Sequence, residues 1–228
     1  MTIGGAAAPA SDVRRHLDAI IAESGSGDWS DSQAAQRSSS LVLDRILGRQ
    51  GFLAASVAEL AGSLRGCESY PYMDKLLLWR SDDGDLRLRL HVFSPGYADR
   101  PHNHRWSFAS RLLGGAYLHT LYGDEHEVLD NAQRGTAPRA RFIHELATGA
   151  AYFLHHSQVH SLSTETETVS LVLRGPSRKD DYFTWEEASR RVVWSSGAAR
   201  EDAADSASKA MDDAGYARVL GALDRLGF

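Results

Sequence analysis

The sequence has little cysteine and no excess of positive charge, and each of these features excludes a class of protein or site. Its single cysteine, Cys67, excludes an internal disulfide and a thiolate metal site. Lys and Arg number 25 against 30 Asp and Glu, and the resulting formal charge of −5 gives no support for a nucleic-acid partner. No stretch approaches the roughly 20 consecutive apolar residues of a membrane span. The sequence therefore predicts a protein that binds neither nucleic acid nor a membrane.

The start of the sequence and its composition indicate the protein class. The opening residues MTIGGAAAPASD are small and apolar but lack the basic region and the long apolar core of a signal peptide, so the expected location is the cytoplasm. With 228 residues, of which 43% are hydrophobic, the chain has room for one domain with a large core.

Apolar spacing divides the chain into helical ends and a β-rich middle. Residues 1–10 are expected to be a flexible tail, and helices are predicted over residues 11–23, 32–49 and 53–64. Many short strands with turn signals between them then favour an all-β barrel or sandwich over βαβ units. These strands are predicted over residues 75–80, 86–93, 102–108, 111–122, 127–130, 141–146, 151–155, 159–165 and 168–174, with a short helix over 186–191 and a helical stretch over 203–226 at the end.

The most informative stretch is RPHNHRW, residues 100–106. Two histidines one residue apart on a strand point the same way, because strand side chains alternate with period two, so His102 and His104 can converge on one metal ion. His160 follows another apolar strand in the stretch GAAYFLHHSQVH, residues 149–160. Imidazole suits iron, zinc, copper and nickel alike. The pattern predicts a metal site made of these three histidines.

The spacing around these histidines resembles the two motifs of the cupin family. The resemblance spans residues 72–185 and implies a mainly β fold, a cupin (jelly-roll-like) β-barrel with an N-terminal helical layer and a C-terminal helical tail. It divides one structural domain into residues 1–70, 71–185 and 186–228. The position of the usual glutamate ligand holds Phe108 or Ala109, so the implied ligands are histidines only. The motif positions are Gly96, His102, His104 and Gly115, then Gly149, His155, Ser157 and His160.

A cupin with three histidines and no glutamate is most similar to the cysteine dioxygenase (thiol dioxygenase) branch. That branch uses non-haem Fe(II) and O2, which implies a dioxygenase or oxygenase acting on a small polar amino acid, thiol or carboxylate. Residues 168–174 are similar to the strand that carries a Ser-x-His-x-Tyr triad there. Only Ser170 of the triad is present, with Val172 and Arg174 at the other two positions. The resemblance therefore extends to the scaffold and the metal but not to the substrate.

The chemistry of such a site follows from its ligands. Three neutral imidazoles leave a divalent iron at net charge 2+, with open positions on one side for substrate and O2. Fe(II) is the implied cofactor, and zinc or nickel suits the same imidazoles. The protein would hold the open side of the metal and place counter-charges around it.

Arg174 is the most interesting residue beside the predicted site. If Ser170, Val172 and Arg174 share the face of the triad, the guanidinium enters the pocket and can hold a substrate carboxylate in a bidentate fork. The alternative is an arginine at a strand end that reaches solvent. Trp106 and Phe108 continue the parity of the two neighbouring histidines, so they form an apolar wall of the pocket or belong to the core.

Further candidates come from parity and proximity. The polar residues expected to contact substrate are Tyr152, His156 and Ser170, and Tyr182 joins Arg174 as a catalytic candidate. Arg87 and Arg89 share one strand face with His91, where they line the barrel mouth or, as the favoured alternative, pair with acids under the helical layer. The histidines expected to be structural or on the surface are His16, His91, His119, His126 and His144.

The sequence leaves three classes of function open. The leading hypothesis is an Fe(II), O2-dependent oxygenase with a small-molecule substrate. The second is a cupin enzyme without redox chemistry, an isomerase, lyase or cyclase in which a divalent metal acts as a Lewis acid. The third is a cupin that binds a small molecule without turnover. Because cupins often pair through barrel edges, a homodimer is expected by analogy.

Overall fold

A computed structural model describes residues 10–24, 27–197 and 203–228 of the chain. The expected flexible tail at residues 1–10 lies outside these ranges, apart from its last residue. Across the described ranges, every helix is too short or too polar to cross a membrane.

Helices lie at both ends of the chain, with one more in the β-rich middle. The second helix begins after Asp31, whose carboxylate accepts hydrogen bonds from the backbone N–H groups of Gln33 and Ala34 at 2.8 and 3.2 Å. The helices are α1 (Ala10–Glu23), α2 (Ser32–Leu47), α3 (Phe52–Ala58) with a 3₁₀ helix (Glu59–Gly62), α4 (Glu125–Gln133), α5 (Ala203–Ser208) and α6 (Asp213–Arg225).

The strands pair antiparallel throughout the described ranges. They are β1 (Glu68–Tyr70), β2 (Met73–Arg80), β3 (Arg87–Phe93), β4 (Phe108–Gly114), β5 (Ala116–Asp124), β6 (Phe142–Ala147), β7 (Ala151–Leu154), β8 (Gln158–Ser163), β9 (Thr168–Arg174), β10 (Asp181–Glu186) and β11 (Arg191–Ser196). A six-stranded sheet has the order β1-β2-β3-β9-β4-β7, a three-stranded sheet has the order β6-β5-β8, and β10 and β11 form a hairpin. The predicted mainly β fold with helices before and after it is thereby confirmed.

One face of the six-stranded sheet forms the main core. Leu88 and Leu90 of β3 and Leu171 of β9 are fully buried there, against apolar residues of the N-terminal helices such as Leu17 and Ile46. Burying a leucine or isoleucine side chain stabilises a fold by about 1.5–3 kcal/mol. The N-terminal helices are therefore held to the sheet by apolar burial.

The other face of the same sheet carries polar residues. Register pairs Arg87 with Arg174, Arg89 with Val172, and His91 with Ser170 across β3 and β9. Directly paired residues share a face, so these side chains lie together on the side away from the helices. This polar face is one wall of the cavity described below.

A glycine separates two strands that the sequence predicts as one. Gly115 has φ +76°, and a Cβ there would lie 2.3 Å from the carbonyl oxygen of Glu167. Only glycine can make this turn. The predicted strand over 111–122 is therefore divided into β4 and β5, which belong to different sheets.

Other element predictions were wrong for local reasons. Residues 127–130, predicted as a strand, lie in α4, which begins after Asp124 because its carboxylate accepts a hydrogen bond from the backbone N–H of His126. Residues 186–191, predicted as a helix, form the turn of the β10–β11 hairpin, with Arg190 in the left-handed region at φ 51°. The helical stretch over 203–226 is divided into α5 and α6.

The predicted strand over residues 102–108 was wrong except at its last residue, where β4 begins. His102 makes isolated bridges to His160 of β8 and Thr184 of β10. This loop segment therefore bridges the three-stranded sheet and the β10–β11 hairpin and does not extend a single strand. It still turns the side chains of His102 and His104 to the same side.

Candidate metal centre

Three histidines converge on a cavity between the sheets. His102, His104 and His160 each offer one nitrogen, and these three nitrogens lie within 4.8 Å of one another. The Nε2 atoms of His104 and His160 are 2.8 Å apart. Two imidazoles bound to one metal ion at about 2.0–2.1 Å place their nitrogens roughly 3 Å apart. The predicted three-histidine group can therefore hold a metal ion.

The backbone fixes the separation of two of these residues. The N–H of His102 donates to the carbonyl oxygen of His160 at 2.9 Å, and the N–H of His160 donates back to the carbonyl of His102 at 2.9 Å. The two residues are thus a directly opposed pair with both hydrogen bonds made. The two backbones therefore keep a fixed separation, whichever rotamers the imidazole side chains adopt.

Asn103 holds the short segment between the first two histidines. It is fully buried, its Oδ1 accepts a hydrogen bond from the N–H of Phe183 at 2.8 Å, and its Nδ2 donates to the carboxylate of Glu125. The Lys179 ammonium pairs with the same carboxylate. Because the buried amide has partners on two elements, the segment that carries His102 and His104 is anchored from behind.

The ring nitrogen that does not face the centre is hydrogen-bonded in two of the histidines. The Nδ1 of His102 lies 2.8 Å from the carbonyl oxygen of Arg100, which can only accept. The Nδ1 of His160 lies 3.0 Å from Nε2 of His119, and Nδ1 of His119 lies 3.1 Å from Nε2 of His144. Both histidines can therefore present Nε2 to the centre.

Burial keeps the central imidazoles neutral. It lowers the pKa of both His104 and His160 well below the usual value, and the nearby His102 adds to this shift. Burial likewise lowers the pKa of His119 to about 4, with His144 and His102 adding to it. Neutral imidazole is the form that binds a metal, so His104 and His160 are ready to act as ligands at pH 7.

The cavity at this centre has a volume of about 110 Å³, and a wider vestibule of about 560 Å³ shares His102, His104 and Arg174 with it as lining residues. It is lined from both sheets and from the loop before β4. Among the residues predicted from the sequence to contact substrate, those that line it are Trp106, Phe108, Tyr152, Ser170 and Arg174. A space of this size suits a small molecule.

Aromatic rings form one wall of the cavity next to His104. The indole of Trp106 stacks on the His104 ring with a centroid separation of 4.5 Å, and Phe108 meets the same ring edge-on at 5.1 Å. Tyr152 accepts a hydrogen bond from the Tyr117 hydroxyl at 3.1 Å, and burial raises its pKa to about 12. These groups exclude water from the side of His104 and leave a neutral phenol in the cavity.

Arg174 is a buried cation that lines the cavity. It is 8% exposed, and its guanidinium carbon lies 5.3 Å from the centroid of the Trp106 ring. Within the described part of the chain, no carboxylate lies within 4.0 Å of its nitrogens or of those of Arg87, its cross-strand neighbour. Burial, together with Arg87 and Arg89, lowers the pKa of Arg174 to about 9. The two cations thus share this wall without an acid at ion-pair distance, and Asp85, which lines the vestibule with them, only partly opposes the lowering of the Arg174 pKa.

The cations nearest to these two are balanced. Arg89 forms an ion pair with Glu68 at 3.2 Å, and Lys75 lies 3.9 Å from the same residue. Burial lowers the pKa of Lys75 to about 8, while Glu68 opposes that shift. Arg87 and Arg89 both line the cavity, as the first alternative predicted. The favoured alternative, pairing with acids under the helical layer, was wrong in its location, because Arg89 meets Glu68 on the cavity side of the sheet.

Two predicted residues lie away from the inner cavity. Tyr182 lines the vestibule. The Nδ1 of His156 lies 3.2 Å from the Ser107 hydroxyl, and its carbonyl oxygen accepts from the Lys179 ammonium at 3.0 Å. Catalysis by Tyr182 and substrate contact by His156 stay predictions.

Sequence patterns alone missed three residues at the centre. His119, expected to be structural, contacts His160, and His91, also expected to be structural, lines the cavity. The third is Asp99, whose carboxylate accepts a hydrogen bond from the N–H of Leu162 and lies 3.8 Å from Nδ1 of His102. The alternation of β3 could have marked His91, which shares a face with Arg87 and Arg89.

Comparison with known proteins finds similarity only among solved structures. No protein-family model and no curated protein matches the chain. KdgF from Halomonas sp. is 18% identical over 49% of this chain and 88% of its own, with a TM-score of 0.37. An RmlC-like cupin from Shewanella frigidimarina is 18% identical over 50% and 86%, with a TM-score of 0.38. Ectoine synthase from P. lautus is 12% identical over 50% and 71%, also at 0.38. At these values the likeness supports no conclusion on activity.

Proposed function

We propose that this protein is a metal-dependent enzyme, a non-haem Fe(II), O2-dependent oxygenase whose substrate is a small polar molecule with a carboxylate or similar oxyanion group. The observation that carries the proposal is the pairing of two features in one cavity. Three imidazoles converge on it, and an arginine without an acidic partner at ion-pair distance among the described residues lies in its wall. The first is suited to a divalent metal and the second to an anionic substrate.

The two unpaired arginines support an anionic substrate. Arg87 and Arg174 are directly opposite each other on neighbouring strands, and like charges in that arrangement destabilise a sheet. Desolvation adds to the cost for Arg174, which is nearly buried. An oxyanion between the two guanidinium groups would offset both effects. A planar guanidinium also matches a carboxylate with two parallel hydrogen bonds.

The chain's own groups have defined parts in such a reaction. Arg174 and Arg87 would bind the oxyanion and so fix the orientation of the substrate. Trp106 and Phe108 would exclude water, and the neutral phenol of Tyr152 and the hydroxyl of Ser170 would offer hydrogen bonds inside the cavity. Bound iron would supply the open coordination positions for substrate and O2 and the electrons for oxidation.

The same three-histidine ligand set also supports a second candidate function. An all-histidine centre without a carboxylate suits zinc and nickel as well as iron, and neither would require O2. An isomerase, lyase or cyclase reaction with the metal as a Lewis acid would use the same arginines for binding. A single experiment separates the two functions.

The experiment measures metal content and oxygen uptake on untagged protein. Wild type, His160→Ala and the control His126→Ala, an exposed histidine on α4, are loaded with Fe(II) without oxygen and analysed by elemental mass spectrometry. We expect about one iron per chain in wild type and control and a loss in His160→Ala. Oxygen uptake is then screened with amino acids, thiols and carboxylates.

Each outcome decides between the functions. Iron-dependent oxygen uptake with one substrate class supports the oxygenase. Turnover with zinc or nickel in the absence of oxygen would replace it with the Lewis-acid enzyme. Wild-type protein that takes up no metal would contradict both, and would leave a protein that binds a small molecule without a metal.

A further inference from the structure

A row of three imidazoles leads away from the metal centre between β8, β5 and β6. His160 of β8, His119 of β5 and His144 of β6 are on adjacent strands, and each ring is hydrogen-bonded to the next, at 3.0 and 3.1 Å. His119 is 2% exposed, and its ring lies within 23° of the plane of the His144 ring, with a centroid separation of 5.1 Å. The same nitrogen pattern occurs in both contacts, Nδ1 of one ring against Nε2 of the next.

Metal binding allows only one direction for these hydrogen bonds. Nε2 of His160 faces Nε2 of His104 at the centre, so a metal ligand at that atom must carry its proton on Nδ1. That proton is donated to Nε2 of His119, which must accept. The proton of His119 is then on its own Nδ1 and is donated to Nε2 of His144.

We propose that His119 and His144 are positioning residues for the metal, which fix the tautomer and the ring orientation of the ligand His160. The inference rests on the proposed metal centre. Ligand histidines generally donate their second N–H to a carboxylate, a carbonyl or water. Here the acceptor is an imidazole, so this contact orients the ligand without adding a negative charge beside it.

The position of the row supports a dedicated role. In the register of β5 with its two neighbours, His119 is paired with Leu162 of β8 and directly with His144 of β6. A leucine or phenylalanine at position 119 would fit the same buried place but would leave Nδ1 of His160 without a hydrogen-bond partner. The buried imidazole of His119 is therefore best explained by its hydrogen bond to His160, a ligand of the proposed metal.

The test compares metal affinity in variants that differ in hydrogen bonding at one site. His119→Phe keeps a ring but removes both hydrogen bonds, whereas in His119→Gln the side-chain carbonyl can accept from His160 and the amide can donate to His144. Dissociation constants for Co(II) and Zn(II) are measured by competition with a chromophoric chelator, and the visible spectrum of the Co(II) protein is recorded. Circular dichroism shows whether each variant is folded.

We expect His119→Phe to bind metal about 10–100-fold more weakly than wild type, the usual range for loss of such a partner. His119→Gln should recover most of that affinity and the wild-type Co(II) spectrum. His144→Leu, which acts only through His119, should weaken metal binding less than His119→Phe does. If His119→Phe does not fold, weaker metal binding by folded His144→Leu supports the inference, and unchanged binding contradicts it. If the role of His119 were purely structural, the glutamine variant would not bind metal more tightly than the phenylalanine variant.

Nitrogen NMR of the zinc-loaded protein gives an independent readout. His119 and His144 should both carry their proton on Nδ1. A proton on Nε2 of His119, or an unchanged affinity and Co(II) spectrum in folded His119→Phe, would overturn the inference while leaving the metal centre intact. Wild-type protein that binds neither Co(II) nor Zn(II) would overturn the metal centre and this inference together.

Discussion

The two faces of the six-stranded sheet are made by the same strands and have opposite character. On the helix side, Leu88, Leu90 and Leu171 are fully buried in the main core. On the cavity side, the residues that alternate with these leucines include Arg87 and Arg174, which bring cations to a small cavity. Strand side chains alternate with period two, so each strand supplies both faces without any change in its backbone.

This difference separates stability from binding within single strands. Apolar burial on the helix side is favourable with or without a ligand. The cations on the cavity side repel one another, and a folded protein tolerates that only because the other face is strongly stabilising. Substitutions on the helix side should therefore change stability alone, and substitutions on the cavity side should change ligand binding.

The largest effect is expected on the helix side. Leu90→Ala should lower the free energy of unfolding by about 2–5 kcal/mol, because it removes buried methyl groups and leaves a void between the sheet and the helices. Urea denaturation measures this, with Leu118→Ala as control, since Leu118 is 44% exposed on β5. The folded fraction of Leu90→Ala should bind metal as wild type does. A substantial loss of metal affinity would show that the two faces are not independent.

The next effect is expected at the unpaired arginine. Arg174→Met should weaken binding of succinate and inorganic phosphate by about 10–100-fold, because a hydrogen bond to a charged group contributes about 1.5–3 kcal/mol. Its unfolding free energy should be unchanged or raised, since a buried like charge is removed. Calorimetric titration of the metal-free protein measures anion binding apart from any metal contact.

The matched control for this variant is Arg134→Met, which removes an exposed arginine at the end of α4. It should bind both anions as wild type does. Equal binding by Arg174→Met and wild type would remove the oxyanion site from the proposed function. Weakened binding of phosphate but not of succinate would narrow the substrate to phosphorylated compounds.

The smallest effect concerns Lys75 and depends on pH. Burial lowers its pKa in the folded protein to about 8, from the ordinary lysine value of 10.5. The charged ammonium therefore destabilises the folded state fully below about pH 8, and this penalty disappears as the pH rises towards 10.5. Lys75→Met should raise the unfolding free energy most at pH 7 and little above pH 10.5, although the attraction to Glu68 that it removes reduces the gain. A gain that does not change with pH would indicate packing instead of charge.

The sequence predicted those parts of the site that depend on local spacing. His102 and His104 face the same way as period two requires, even though their segment is a loop joined to two strands and not a regular strand. The parity of Ser170, Val172 and Arg174 likewise holds along β9. In each case the prediction needed only the alternation of neighbours along the chain.

Features that depend on strand order could not be predicted in this way. The contact between His119 and His160 requires β5 to lie beside β8, and the opposition of Arg87 and Arg174 requires β3 to lie beside β9. The sequence separations are long, and no local pattern marks either pairing. The exchange of a predicted strand for α4 has a different origin, because the capping carboxylate of Asp124 outweighed a short apolar alternation.

The reciprocal backbone hydrogen bonds between His102 and His160 have a thermodynamic consequence. Folding itself fixes the backbone positions of these two ligands, so metal binding does not have to bring the two segments together. The unfolded chain has no such arrangement, and a metal that binds only the folded state stabilises it by mass action. At a free metal concentration one hundred times the dissociation constant, the stabilisation is about 2.7 kcal/mol. The thermal midpoint of the protein should therefore rise with metal concentration and continue to rise after the site is saturated.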